Sequence, residues 1–468
     1  MVRRQVLALS VLGLAVFMVA VDGTVVSVAV PSITEQLHPS YNQVLWIGDI
    51  YSFVLAGLLI TMGNVGDRVG RKRLLLISSI AFGAASAAAA LAPTAGLLIA
   101  MRAVQGLAGA GLMPSTLALL RTVFTDDRQR MRAVGIWSAA GAAGAAMGPT
   151  VAGLLLEHFY WGSVLLVNLP VVVLIVVVGW WALPEARSET RHPVDPRSVA
   201  YSTAGILGVV YGITELAHSG PGFWPGYLAL VVGAVLLWVF LRRQRLLPAP
   251  LLDLQLFLQR RFSAAIVSQL VIVFANIGAL FFLPIFLRQV GDFSPLQSGL
   301  ATLPESVVSL ITASNTARLV GRWGHRRTLL LGMVVGSVGL VLLGLTIPLS
   351  YPAMVIPLML LGFSFGSVVT VASDLVLTSA SADRVGAATG ISETAFELGT
   401  ALGIAITGSV VSVLYIVFGD GVASFGESAD PRAFTLSLGG NCVLGGLLLI
   451  AVTIVVARAL RESSSAPA

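Results

Sequence analysis

Apolar residues along this chain run in blocks. Fourteen stretches are mostly apolar, at approximately 6–30, 44–66, 74–92, 96–120, 132–156, 161–183, 198–217, 223–241, 262–287, 295–317, 328–347, 352–376, 385–417 and 434–457. A helix needs about 20 such residues to cross the hydrocarbon core of a bilayer, so each block predicts a membrane-spanning helix. The longest interruptions, about 184–197, 242–261 and 418–433, leave no room for a soluble domain. The first block follows Met1-Val-Arg-Arg as a signal peptide would. It is nevertheless too long, carries Asp22 and lacks a small-residue cleavage site, so it is expected to stay as a span.

Composition points the same way. Of 468 residues, 56% are hydrophobic, 49 are Gly and 11% are charged, where soluble domains carry roughly 25% charge. A soluble protein is excluded, and an all-α integral membrane protein is expected. The single Cys442 excludes an intramolecular disulfide and a thiolate cluster. The five histidines are scattered with no i,i+4 pair, so no metal site is expected. Lys72, the only lysine, follows Gly70-Arg71 and does not close a Gly-x-x-x-x-Gly-Lys-Ser/Thr loop, which excludes a built-in ATP-driven pump. No cofactor is expected, and the chain is not read as an enzyme.

The net charge of +6 reflects where the arginines sit and does not suggest a nucleic-acid partner. With both termini on one side, 25 of the 28 basic residues fall on loops of that side. Only Arg288 and Arg432 fall opposite, and Arg102 lies inside a span. Cytoplasmic loops carry the Lys/Arg excess, so a multi-pass protein of the cytoplasmic membrane with both termini inside is expected.

Two segments repeat. Gly66-Asp-Arg-Val-Gly-Arg-Lys-Arg-Leu-Leu-Leu recurs from Val320, and Gly106 to Arg128 recurs weakly as Gly362 to Arg384, at offsets of 254 and 256. Two matches at nearly one offset indicate a duplicated unit. Six blocks fill only about 185 residues, so the seventh and eighth are an insertion. The expected organisation is an N-terminal six-helix bundle (1–190), two inserted helices (191–255) and a C-terminal six-helix bundle (256–468).

The motifs make a resemblance specific. Gly63-Asn-Val-Gly-Asp67-Arg68-Val-Gly70-Arg71-Lys72 matches the signature loop of the major facilitator superfamily, which implies substrate binding near the midplane between two bundles. Gly144-Ala-Ala-Met-Gly148-Pro149-Thr-Val-Ala152-Gly153 resembles its antiporter motif, with Ala152 in place of one glycine. Arg102, Gln105, Gly106 and Pro114 sit as in the family's fourth-helix motif. Asp22 to Pro31 is similar to the fourteen-helix drug/proton antiporter branch, with Ser27 where asparagine is more usual. Trp46-Ile-Gly-Asp49-Ile-Tyr-Ser and Ile391-Ser-Glu393-Thr-Ala-Phe-Glu397-Leu-Gly399 resemble its QacA-type multidrug exporters.

Each motif also has a physical reading. Asp67, with Arg68 and Arg71 beside it, could reach basic residues or a helix terminus and latch an inner gate, or the loop could only set topology. Gly63 belongs to the same motif, and Gly70 permits a tight turn. Gly141, Gly144 and Gly148 leave a smooth stripe for a neighbouring helix, and Pro149 removes a backbone hydrogen bond. Ionisable residues at bilayer depth are costly and mark function by default; here they are Asp22, Asp49, Arg102, Glu305, Asp374, Glu393 and Glu397. Asp22 and Arg102 form either a proton site released by protonation or a static ion pair. Asp49 lines an outer vestibule or anchors its helix. Glu305 follows Pro304, where a mid-helix bend would turn it inward. Asp374 lies inside or at headgroup level, and Glu215 is read as solvated.

Glu393 and Glu397 share one helix face a turn apart; ionised together they repel, so the pair is expected to share a proton and titrate as a unit. The expected proton-coupling set is Asp22, Arg102, Glu305, Glu393 and Glu397. Substrate contacts are expected from Asp22, Asp49, Glu393, Met18, Met113, Phe281 and Phe396, because promiscuous pockets use adaptable apolar walls. The resemblance implies a monomeric proton-coupled antiporter exporting lipophilic cationic drugs by alternating access. The alternatives are an exporter of one antibiotic or metabolite and a solute/proton symporter.

Overall fold

The computed structural model describes residues 3–39, 41–186, 195–219, 224–247, 250–293, 295–381, 384–419 and 430–462. Among these residues every regular element is helical. The helices are α1 (Arg3–Leu37), α2 (Tyr41–Val69), α3 (Arg71–Ala90), α4 (Ala95–Val123), α5 (Asp127–Leu156), α6 (Ser163–Leu166) and α7 (Asn168–Ala182). They continue with α8 (Pro196–Ser219), α9 (Trp224–Gln244), α10 (Arg260–Gln289), α11 (Pro295–Leu300), α12 (Leu303–Thr346), α13 (Tyr351–Ser379), α14 (Val385–Phe418) and α15 (Pro431–Glu462). Among the described residues, twelve stretches are long and apolar enough to cross a membrane. Helices suit that setting because they satisfy their own backbone polar groups.

Two of the expected blocks, 295–317 and 328–347, are merged in one of these twelve stretches, Gln297–Thr346, apart from a residue or two at its ends. The helix through them breaks at Gly324, where φ is 77° and ψ 162°, a region essentially restricted to glycine. Gly70, 254 positions earlier, caps α3 at φ 112°. These are the two positive-φ glycines among the described residues. The repeated loop therefore makes the same kind of turn twice. The block at 198–217 forms α8, which is not among the twelve.

Helix crossings repeat as well. A Cβ on Gly106 of α4 would stand 2.4 Å from the Tyr51 carbonyl of α2. On Gly362 of α13 it would stand 2.2 Å from the Glu305 carbonyl of α12, and both residues are the offset equivalents of the first pair. Gly111 of α4 meets Ser78 of α3, whereas Ser367 of α13 meets Gly332 of α12. One small residue is required at that crossing, and either helix can supply it.

The described chain forms two compact units: Met1–Gly208 with Val232–Leu256 and Val376–Thr394, and Val209–Val231 with Phe257–Leu375 and Ala395–Ala468. In the first, α1 packs on α5 and α7, and α4 on α2 and α3. Its core includes Val25, Ile33, Ile47, Leu98, Trp161 and Leu165. In the second, α15 packs on α10 and α12. There Gly399 and Gly403 of α14 lie against the Leu270 and Phe274 carbonyls of α10.

The glycines of the expected stripe on α5 pack against α1. A Cβ on Gly144 would stand 2.5 Å from the Phe17 carbonyl, and one on Gly148 1.9 Å from Thr24 Oγ1, so α5 rides directly on α1. Gly153 has nothing within 4 Å and takes no part in this contact. α5 runs through position 149; the side chains of Pro149 and of Asp49 on α2 lie outside the described residues.

Candidate functional site

The first unit holds a closed polar cluster in an apolar bundle. Asp22 of α1 and Arg102 of α4 are both 0% exposed, and Arg102 Nη1 donates to Asp22 Oδ2 at 2.5 Å. Asp22 Oδ1 accepts from Asn168 Nδ2 of α7 at 2.7 Å and from Gln105 Nε2 at 3.2 Å. Ser86 Oγ of α3 accepts from the same two amides, at 3.1 and 2.7 Å. The guanidinium lies 4.5 Å over the Tyr51 ring of α2, within range for a cation–π contact. Five helices thus contribute to one polar cluster around Asp22 and Arg102. Nε and Nη2 of Arg102 have no hydrogen-bond partner, so this buried cation is only partly satisfied.

The sequence identified Asp22 and Arg102 and placed Gln105 in a motif. Tyr51 stood within another quoted motif, and Ser86 and Asn168 were not singled out. Asn168 did carry a signal, a polar residue within the apolar run 164–178. Ser86 sits among alanines and carried almost none.

The signature loop forms a second arrangement in the same unit. Asp67 Oδ1 accepts from Nε and Nη2 of Arg71 at 2.9 and 2.8 Å. It also accepts from Gly386 N–H at 3.0 Å, while Oδ2 accepts from Ala387 N–H at 3.1 Å. Asp67 therefore caps the N-terminus of α14, where free N–H groups and the helix dipole favour an anion. These contacts join the signature loop on α2 to the start of α14. The crossing is tight: a Cβ on Gly63 would stand 2.1 Å from the Gly386 carbonyl. Arg68 is exposed. Arg121 Nη1 donates to the Ala380 carbonyl at 2.5 Å, and Thr389 Oγ1 to the Pro114 carbonyl at 3.2 Å.

The remaining acids differ in setting. Glu305 does not follow a mid-helix bend. The chain breaks between α11 and α12, and Glu305 falls in the first turn of α12 with Pro304 at its start. Proline is tolerated there because the missing N–H would have no helical partner. Glu305 is 7% exposed and accepts from Ser306 Oγ at 3.2 Å. Asp374 is buried and lies 3.1 Å from His325 Nε2. Glu393 is 3% exposed and Glu397 half-buried on α14. No ion pair among the described residues involves Glu305 or Glu397. Of the expected apolar contacts, Met18 is packed in the core, Met113 and Phe396 are half-buried, and Phe281 is exposed beside Phe282.

Comparisons with known proteins agree with this architecture. Residues 12–404 match the Major Facilitator Superfamily. The chain is similar to the multidrug efflux pump LfrA of Mycolicibacterium smegmatis, at 40% identity over 88% of this chain and 82% of that protein. It is similar to the methyl viologen resistance protein SmvA of Salmonella typhimurium, at 36% over 87% and 83%. It also resembles the tetracenomycin C resistance and export protein of Streptomyces glaucescens, at 32% over 85% and 74%. The crystal structure of the human organic anion transporter MFSD10 shares the fold, with TM-score 0.66 and 16% identity over 95% of this chain and 99% of that one. The chain, a multi-pass membrane protein and not an enzyme, belongs to the major facilitator superfamily of transporters.

Proposed function

We propose that this protein is a proton-coupled antiporter of the fourteen-helix QacA-type branch, exporting lipophilic cationic drugs or dyes by alternating access. In this reading the bundles 1–190 and 256–468 flank an inserted pair, 191–255. α8 counts as a span, since 24 helical residues reach about 36 Å, and the break at Gly324 divides α12 into two spans. The protein is a monomer of the bacterial cytoplasmic membrane, with the Arg-rich loops and both termini in the cytoplasm.

One observation carries the reading. Glu305 and Glu397 lie on spanning helices with no ion-pair partner among the described residues. An unpaired carboxylate taken from water costs several kcal/mol. A proton or a bound organic cation each relieves that cost, and the two exclude one another. Such competition is the basis of exchange, with Glu393 a turn away on the same helix as Glu397. Asp22 and Arg102 form the matching site in the first bundle, where releasing the ion pair would accompany proton binding. Each ligand shifts the access equilibrium only by its differential affinity for the two states. The names of the relatives above, a multidrug pump and a resistance protein for the dication methyl viologen, fit cationic cargo.

The test uses purified protein in liposomes with an internal pH dye. Ethidium, a quaternary ammonium compound and a neutral drug are added in turn to wild type, Glu393→Gln and Glu397→Gln. Unrelated cations should each drive proton movement in wild type, and at least one of the two variants should abolish it. Silence with every cation from folded protein would overturn the polyspecific reading. The relative named for tetracenomycin C supports the second reading, an exporter of one antibiotic. That reading predicts transport of a single compound and indifference to unrelated cations.

A further inference from the structure

The inserted pair ends in a polar knot that neither bundle's site uses. The Asp195 carboxylate caps α8, its Oδ2 accepting from the Ser198 N–H at 3.1 Å and hydroxyl at 2.6 Å. Arg243 near the end of α9 donates to both its oxygens, at 2.6 and 3.2 Å. Gln244 is 3% exposed. Its Nε2 donates to Ser198 Oγ at 2.9 Å, and its Oε1 accepts from Leu251 N–H at 2.8 Å. The strand of chain that leaves α9 is therefore held against the inserted pair.

That same strand then reaches the latch from two directions. The Leu251 carbonyl accepts from Asn64 Nδ2 at 2.8 Å, and Asn64 lies three residues before Asp67 on α2. The Asp253 carboxylate pairs with Arg384, the residue immediately before α14. Two residues on, Gly386 donates its N–H to Asp67. The first turn of α14 is thus held by Asp67 and, through Arg384, by Asp253.

We propose that residues 251–253, anchored by the inserted helices, form a second latch that sets how readily the first turn of α14 leaves α2. Asn64, Gln244, Asp253 and Arg384 are positioning residues in this device. The inference rests on the family's alternating access and needs neither the cargo nor the coupling ion to be as proposed above. Because the Arg384 side chain is 42% exposed, solvent screens its pair, and the strap tunes the access equilibrium without deciding it alone.

The experiment follows a cysteine whose exposure reports departure of α14. Ala388, buried in the first turn of α14, becomes Cys in full-length protein carrying Cys442→Ser, and the maleimide labelling rate is measured in proteoliposomes. Asp253→Asn and Arg384→Gln should each raise the rate about two- to tenfold. The exchanged pair Asp253→Arg with Arg384→Asp should bring it back toward the parent, an outcome a merely structural role would not give. Asp67→Asn serves as the positive control, and thermal unfolding shows which variants are folded. A parental rate in both folded single variants, while Asp67→Asn labels faster, would overturn the second latch and leave the antiporter reading untouched. Where a single variant does not fold, failure of the exchanged pair to restore folding and rate would overturn it equally.

Discussion

Asn168 shows how much a neutral side chain can carry at a buried charge. Asn168→Leu keeps the volume but withdraws the donor from Asp22 and Ser86, and a buried acceptor left short costs about 1–3 kcal/mol. The expected result is a lower melting temperature of the purified protein and weaker drug export. Asn168→Asp should be worse, because it sets a second carboxylate beside the first. At the start of α8, the Arg243 guanidinium beside Asp195 holds its carboxyl well below the usual carboxylate range. A depressed carboxyl stabilises the fold above its unfolded value near 3.9 and loses that contribution as pH falls below it. Asp195→Asn should therefore lower the melting temperature by the same amount from pH 5 to pH 8, with the difference shrinking only near pH 3. Charge at bilayer depth was legible because it is rare there, so Asp22 and Arg102 stood out from the sequence. Ser86 was not legible, because a serine among alanines is ordinary in any bundle, and the motif that holds Tyr51 did not say that its ring would face Arg102.

Helices here meet where backbone can touch backbone, and the glycines that allow it can be told apart. Gly148→Ala should destabilise by about 1–3 kcal/mol through its clash with Thr24, and Thr24→Ala should recover part of the loss. Gly153→Ala, with open space around it, should be neutral within about 0.5 kcal/mol. Thermal unfolding of the three variants and the double variant decides this. Gly70→Ala and Gly324→Ala should each cost about 1–3 kcal/mol, because both turns use backbone angles that a Cβ resists. The stripe of Gly144 and Gly148 was legible from spacing alone. Gly153 belongs to the motif but not to that stripe, and it faces open space. The bend expected after Pro304 did not form. Proline breaks a helix or starts one, and only the path of α11 and α12 shows which.

A transporter driven by a proton gradient should stop when the gradient is removed. In cells expressing this chain, a protonophore is expected to raise ethidium accumulation to the level of cells lacking it. Depleting ATP while the gradient is kept should leave efflux intact, since no nucleotide-binding loop is present in the sequence. Loss of efflux in the second condition alone would oppose the coupling proposed here. At this scale the sequence determined a great deal by itself. Long apolar blocks dictate spanning helices, because backbone polar groups find no partner in lipid outside a helix or closed barrel. The two repeats at offsets of 254 and 256 announced duplication, which the paired turns at Gly70 and Gly324 and the paired crossings at Gly106 and Gly362 now show in space. What only the tertiary structure decided are the partnerships: Asp22 with Asn168, Asp67 with the start of α14, Asp253 with Arg384. A sequence lists donors and acceptors along one dimension. Which of them meet, 131 to 320 residues apart, is decided by helix packing, and that rests on many small contacts no single motif encodes.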